Sequence, residues 1–202
     1  YLNADAKHPF NVGYDINHET QATKYYVKRT LAYLLEEFHV DGFRFDLSKG
    51  FTQTNSGNDA AKMAQYDQSR IDILTDYYNW VQSKSPGAYC ILEHFADNSE
   101  EQTLSSKGMM LWGNGNFNAN EAGMGYSNGD FGWGIDAQKR SFGQRNLVGY
   151  IISHDEERMG YKCKNFGNAT TGYSVKDPSV YVPRVGMAYA FVIATPGPKM
   201  IW

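Results

Sequence analysis

Three acidic residues stand at the ends of short apolar runs in this sequence. Asp46 follows Val40–Phe45, Glu93 follows Tyr89–Leu92, and Asp155 follows a run that begins at Leu147. Such runs, separated by helical patterns, predict parallel β-strands that are covered by helices. In parallel α/β folds ligands bind at the carboxyl ends of the strands. Carboxyl groups gathered there predict acid, base or nucleophilic chemistry on a bound substrate.

Arg44 and Asp46 are two residues apart in the first of these runs, and Phe43 and Phe45 alternate with them. Because side chains alternate between the two faces of a strand, Arg44 and Asp46 are predicted to project to the same side. A buried arginine next to an aspartate is costly unless the two are hydrogen-bonded. The pair is therefore either a structural ion pair or a catalytic carboxylate that its neighbour keeps ionised.

The motifs around the three acids are similar to those of a known enzyme family. Gly42–Asp46, Glu93 at the end of the following strand, and His154–Asp155 at the end of a later one resemble the α-amylase family of glycoside hydrolases, family thirteen. The resemblance extends from about Val40 to Trp202. It implies a retaining glycosidase acting on the α-glucosidic bonds of starch-like glucans.

The spacing of the acids agrees with a (β/α)₈ barrel, which uses roughly 31 residues for each repeat. Asp46 and Glu93 are 47 residues apart, and Glu93 and Asp155 are 62 apart. One repeat with a long connection and then two repeats are expected, so the acids would lie on the fourth, fifth and seventh strands. The fold class is therefore predicted as α/β, a partial TIM (β/α)₈ barrel from roughly strand four to strand eight.

The hydrophobic pattern predicts the remaining elements. Helices are expected at Glu19–Phe38, Asp67–Ser83, Asp136–Arg145 and Val182–Ala194, and strands at 109–112 and 199–202. The predicted apolar face of the first helix contains Tyr26, Leu31, Leu34, Leu35 and Phe38, and that of the second contains Ile71, Leu74, Tyr78 and Val81. Gly113–Gly134 is rich in Gly and Asn and is predicted as a long loop over the barrel mouth. Aromatic side chains in that loop either pack on the scaffold or stack on sugar rings: Tyr126, Phe131 and Trp133.

The family resemblance also implies roles for individual residues. Asp46 would be the nucleophile, kept ionised by Arg44, and Glu93 would be the general acid with a pKa raised by burial and nearby negative charge. Asp155 would bind sugar hydroxyls and help to distort the ring, and His154 would donate a hydrogen bond to a hydroxyl.

Two other parts of the resemblance are incomplete. Many relatives carry a Lys-His pair that contacts a sugar beyond the cleavage point, whereas this chain has Lys49-Gly50, so Lys49 is a substrate-binding candidate without its partner. An earlier family motif, Asp-x-x-x-x-Asn-His, is matched only in part by Asp15–His18, where the spacing differs. No metal site is predicted in this chain, and calcium is expected only in a longer protein.

Composition limits the classes of partner. The 202 residues carry a net charge of −3 and are 42% hydrophobic, with scattered basic residues, which argues against nucleic acid. No apolar run reaches the ~20 residues that cross a bilayer. Cys90 and Cys163 are too few for a disulfide framework or a zinc site. The expected partner is an α-glucan, with an extracellular, cell-surface or periplasmic location suspected from that substrate.

The chain begins without methionine and ends within an apolar run, so residues 1–202 are expected to be a fragment of one catalytic barrel domain. Alternatives to hydrolysis are a branching, debranching or neopullulanase-type enzyme, or a non-catalytic amylase-like domain that binds glycans. A magnesium-type carboxylate site is disfavoured because Arg44 would compete with the metal.

Overall fold

The computed structural model describes residues 1–10, 13–113, 115–123, 125, 146–151, 167–168, 173–174 and 178–201. The chain divides into two compact units, Tyr1–Leu111 and Trp112–Trp202. Helices and parallel strands alternate along it, as the hydrophobic pattern predicts for an α/β fold.

The first unit contains most of the described elements. In chain order they are α1 (Gln21–Phe38), β1 (Gly42–Phe45), a 3₁₀ turn (Ser48–Gly50), α2 (Ala60–Met63), α3 (Gln68–Lys84), β2 (Tyr89–Leu92), α4 (Asn98–Ser106) and the start of β3 (Met110–Trp112). β1 pairs in parallel with β2, from Gly42 opposite Tyr89 to Phe45 opposite Leu92. β2 pairs in parallel with Met110 and Leu111 of β3.

The helices of this unit begin where their capping residues predict. The Thr20 side chain accepts a hydrogen bond from the Thr23 backbone N–H before α1, and Asp67 does the same for Ser69 before α3. The predicted apolar faces are confirmed only in part. Leu31 and Leu35 are buried, whereas Tyr26 and Phe38 are exposed, so the predicted face of α1 was too wide. In α3 the fully buried ring is Tyr77, not the predicted Tyr78.

The second unit is described at α5 (Gly115–Gly123), β4 (Leu147–Ile151), β5 (Gly167–Asn168), β6 (Tyr173–Ser174), α6 (Pro178–Ala194) and β7 (Lys199–Ile201). β4 and β7 are parallel partners, and the short strands β5 and β6 pair antiparallel. α5 and α6 pack on each other and on β4. The predicted strand at 199–202 is confirmed as β7.

The prediction of a continuous loop over Gly113–Gly134 was wrong at its start. Gly115–Gly123 forms α5, although its glycines and asparagines have low helix propensity. Packing against α6 and β4 supplies the stabilisation that local propensity lacks. The predicted helix at Asp136–Arg145 and the aromatic residues Tyr126, Phe131 and Trp133 lie outside the described residues. None of the described helices is long and apolar enough to cross a membrane.

Candidate active site

The backbone turns sharply directly after β1, and this turn presents Asp46. Leu47 adopts the left-handed conformation at φ 44°, which is rare for a leucine. Its N–H donates to the Glu93 Oε2 atom at 3.3 Å, and the 3₁₀ turn at Ser48–Gly50 follows. Strained residues of this kind occur often at functional sites, where the surrounding contacts hold them in place. Here the contact that holds Leu47 is the carboxylate of a second candidate residue.

Arg44 joins the two candidate carboxylates. Its Nη1 atom lies 2.8 Å from Asp46 Oδ1 and its Nη2 atom lies 2.5 Å from Glu93 Oε2. The predicted placement of Arg44 and Asp46 on one side of the strand is therefore confirmed. The bridge from the same guanidinium to Glu93 was not predicted, because it depends on the neighbouring strand and not on the sequence around Arg44.

The backbone of Glu93 is fixed to the end of β1. The Glu93 N–H donates to the Phe45 carbonyl at 3.1 Å, and the Ser48 N–H donates to the Glu93 carbonyl at 3.0 Å. These two bonds continue the parallel pairing of β1 and β2 past the ends of both strands. They place the Asp46 and Glu93 side chains at the carboxyl ends of neighbouring strands, where parallel α/β folds bind ligands.

The two carboxyl groups differ in their surroundings. The Asp46 side chain is 76% exposed, whereas the Glu93 side chain is 25% exposed. Burial raises the pKa of Glu93, and a hydrogen bond and negative charge from Asp46 raise it further. The Leu47 N–H and Arg44 act in the opposite direction but do not outweigh burial. One group is thus accessible to solvent, and the other is biased toward its protonated form.

A buried ion-pair network supports the turn that carries Asp46, and sequence reasoning did not identify it. Ser48 Oγ lies 2.9 Å from His94 Nδ1, and His94 Nε2 lies 2.7 Å from Glu100 Oε1. Glu100 also pairs with Arg70, at 2.6 Å from Nε and 2.7 Å from Nη2. The Nη1 atom of Arg70 then donates to the Lys49 carbonyl at 2.8 Å. One feature of the sequence could have indicated this network: Arg70 stands next to Ile71, on the buried side of α3.

The remaining predicted site residues are placed as follows. Lys49 lies with its Nζ 5.1 Å from the centre of the Phe10 ring, and burial lowers its pKa, with Arg70 adding to the effect. His154 and Asp155 lie outside the described residues. Among the described residues no group of three or more His, Cys, Asp or Glu side chains is arranged to hold a metal ion.

A cleft of about 300 Å³ opens beside Asp46 in the first unit. One side is formed by Asp46, Leu47, Gly50 and Phe51 from the turn after β1, and the other by residues of the N-terminal segment between His8 and His18. A volume of this size lies at the lower end of the range for small-molecule sites, about 300–1,000 Å³. The accessible carboxylate therefore borders a space that a ligand can enter.

Comparison with known proteins adds one similarity of fold. No protein-family model matches the chain, and no curated protein matches its sequence. The structure is similar to that of the Eubacterium rectale amylase Amy13B, with a TM-score of 0.61 and 16% sequence identity. The match covers 96% of this chain and 36% of Amy13B. The chain has an amylase-like α/β fold. At this level of identity the similarity concerns the fold alone.

Proposed function

We propose that this chain carries part of the active site of a retaining glycoside hydrolase that cleaves α-glucosidic bonds in starch-like glucans. The observation that carries the proposal is the guanidinium of Arg44, which contacts Asp46 at 2.8 Å and Glu93 at 2.5 Å. Glycoside hydrolysis by retention needs two carboxyl groups close together in different protonation states. Asp46 and Glu93 are adjacent and have different environments.

In this proposal Asp46 attacks the anomeric carbon, and Glu93 protonates the oxygen of the departing sugar. The glycosyl–Asp46 ester that results is hydrolysed by water, which Glu93 deprotonates as it returns to its acid form. Exposure of Asp46 on the cleft suits a nucleophile that must reach substrate. The raised pKa of Glu93 suits a group that must hold a proton before the first step.

Arg44 would aim the Asp46 carboxylate for its attack on the anomeric carbon, as the family resemblance implies. Lys49 would bind a sugar on the leaving side, and His154 and Asp155 would contact hydroxyls of the distorted ring, as the family resemblance implies. The likeness of fold to the amylase Amy13B agrees with this proposal.

The test uses the protein that contains this chain and amylose as substrate. Release of reducing ends is expected, and proton NMR at early times should show the α-anomer as the first product. Asp46→Asn and Glu93→Gln should each lower kcat by several orders of magnitude without lowering the thermal unfolding temperature. The β-anomer as first product, or normal turnover by Asp46→Asn, would contradict the proposed roles.

Three other functions share these residues, and assays of pullulan cleavage, branch points and amylose binding separate them. A debranching or neopullulanase-type enzyme would cleave pullulan faster than amylose, and a branching enzyme would increase branch points without releasing reducing ends. A non-catalytic glycan-binding domain would bind amylose without turnover. The close contact of Arg44 with both carboxylates favours catalysis, because binding sugar hydroxyls does not require two carboxyl groups of different protonation.

A further inference from the structure

His8 is a largely buried polar residue of the cleft that the proposed mechanism does not use. Only 9% of its side-chain surface is exposed. Its Nδ1 atom is buried and has no hydrogen-bond partner among the residues that the structure describes. Buried polar atoms in folded proteins nearly always have a partner, from the protein or from a bound molecule. Because His8 lines the cleft, its unpartnered nitrogen is a candidate contact for a ligand.

The position of His8 links it to the loop that carries Asp46. Its ring borders the cleft of about 300 Å³ together with Asp46 and Gly50. Its Nε2 atom lies 3.6 Å from Asp15 Oδ1. The other oxygen of that carboxylate accepts hydrogen bonds from the Asn3 side chain and the Lys7 N–H. These bonds fix the position of the Asp15 carboxylate, which in turn lies next to the Nε2 atom of His8.

Gly50 makes room for this imidazole. A Cβ atom at position 50 would lie 2.8 Å from His8 Nε2, which is closer than real Cβ contacts. A larger residue at that position would therefore displace the ring from the cleft wall. Gly50 belongs to the same 3₁₀ turn that follows Asp46, so the placement of His8 and the shape of the catalytic loop depend on each other.

We propose that His8 binds the sugar substrate, with Nδ1 hydrogen-bonded to a hydroxyl of the glucose unit that lies next to Asp46. The inference rests on the proposed function. A sugar hydroxyl donates and accepts, so it suits an imidazole nitrogen in either tautomer. The cleft also has the aromatic side chains of Phe10 and Tyr14, flat apolar surfaces of the kind on which sugar rings pack.

A water molecule is the competing partner. His8 also borders a second cavity of about 70 Å³ that is lined by polar groups, among them Thr52, Asp67 and Arg70. That space holds a water but not a sugar ring. If Nδ1 faces only that cavity, changes at His8 will leave sugar affinity unaltered, and the inference is then overturned.

The experiment measures maltopentaose binding by titration calorimetry in the Asp46→Asn background, where turnover does not interfere. Adding His8→Ala should weaken binding about fivefold to tenfold, the effect of one lost neutral hydrogen bond. Adding His8→Asn should recover part of that loss, because the asparagine amide reaches the position of Nδ1. Asp5→Ala, at an exposed residue outside the cleft, is the matched control and should bind as the background does.

Gly50→Ala provides a second variant that leaves His8 in place in the sequence. It should weaken binding as His8→Ala does, because the added methyl displaces the imidazole. Unchanged affinity in both variants would overturn the inference. A loss in His8→Ala that His8→Asn does not reduce, at equal thermal stability, would also overturn it. If the Asp46→Asn protein itself binds no maltopentaose, the proposed function has failed and the inference falls with it.

Discussion

Arg44 lies between two carboxyl groups, and each of the three side chains affects the others. Burial and the nearby Asp46 charge raise the pKa of Glu93, whereas the guanidinium of Arg44 favours the ionised form of Glu93. The net direction for Glu93 is upward, so the fold prefers this residue protonated. In a carboxyl group with a raised pKa, the stabilisation is present at low pH and is lost as the pH rises through the folded-state pKa.

Replacing Glu93 by glutamine should therefore stabilise the protein at neutral pH. The amide resembles the protonated carboxyl and keeps an oxygen that accepts from Arg44 and from the Leu47 N–H. The gain in the free energy of unfolding should be present at pH 7 and should vanish below the ordinary carboxyl pKa of 4.5. Urea unfolding at a series of pH values measures it.

Glu37→Gln, at an exposed position of α1, is the control for this measurement. It should show no comparable change between pH 7 and acid. A Glu93→Gln protein that is less stable than the parent at neutral pH would mean that the ion pair with Arg44 outweighs burial, contrary to the assigned direction of the pKa.

At the scale of elements, the approach of β1 to β2 depends on a glycine. A Cβ atom on Gly42 would lie 2.3 Å from the Tyr89 carbonyl oxygen and 2.5 Å from the Tyr89 nitrogen. These are backbone atoms of the partner strand, so they cannot move aside without disturbing the pairing. Gly42 thus sets the close contact at the start of the two strands whose other ends carry Asp46 and Glu93.

Gly42→Ala should lower the free energy of unfolding by about 1–3 kcal/mol, the usual cost of forcing extra volume into a packed site. It should also reduce turnover, because the ends of β1 and β2 hold the two carboxyl groups. Gly13→Ala is the matched control, since a Cβ there has no atom within 4 Å. Equal stability of the two variants in urea unfolding would contradict the close approach.

The second element-scale feature is the buried pair of Arg70 in α3 and Glu100 in α4. Both side chains are almost fully buried, at 1% and 0% exposure. The pair connects the two helices, and Arg70 also donates a hydrogen bond to the Lys49 carbonyl in the turn after β1. Glu100→Gln should lower the free energy of unfolding by about 3–5 kcal/mol, because Arg70 loses its counter-charge while it stays buried.

Glu36→Gln is the control for that change. Glu36 pairs with Lys84 at 3.4 Å on the surface, where an ion pair contributes at most about 1 kcal/mol. Both variants remove one negative charge, so the difference between them measures what burial and the added contact with His94 contribute at Glu100. Similar losses in the two proteins would show that the Arg70–Glu100 pair is not isolated from solvent.

At the scale of the whole molecule, buried histidines determine how stability responds to acid. His18 stacks on Phe51 at 3.8 Å between ring centres, and its Nδ1 lies 3.1 Å from the Tyr77 hydroxyl. Burial lowers the pKa of His18 from 6.5 to about 4. Burial also lowers the pKa of His94. The folded state favours the neutral form of both histidines. Their contribution to the free energy of unfolding is therefore lost as the pH falls below the ordinary histidine pKa.

The free energy of unfolding should therefore decrease as the pH falls from 6.5 to about 4, with His18 contributing up to about 3 kcal/mol of the decrease. His18→Asn, which keeps a polar atom near Tyr77 but does not titrate, should show a shallower slope over this range. His39→Asn is the control, because His39 is exposed and asparagine suits its left-handed backbone. Equal slopes for parent and His18→Asn in urea unfolding at each pH would contradict the assignment.

Much of the architecture was predictable because it depends on local pattern. The strands at Gly42–Phe45, Tyr89–Leu92 and Met110–Trp112 and the helices at Gln21–Phe38 and Gln68–Lys84 appear where periodicity and capping residues predicted them. Prediction failed where packing overrides local preference. Gly115–Gly123 is helical despite its composition. Tyr77 lies in the core in place of Tyr78, since the rotation of a helix against its neighbours is not set by its own residues.

The order of elements could be deduced from the chain alone, as could the positions of Asp46 and Glu93 at strand ends with Arg44 on the side of Asp46. These features follow from a two-residue period and from turn residues, which act over short distances. Three contacts come from folding and could not be deduced in this way: Arg44 with Glu93, Arg70 with Glu100 in the interior, and His8 beside Gly50. Each of these contacts joins residues far apart in the chain, and their strength depends on exclusion of water, which only the packed structure produces.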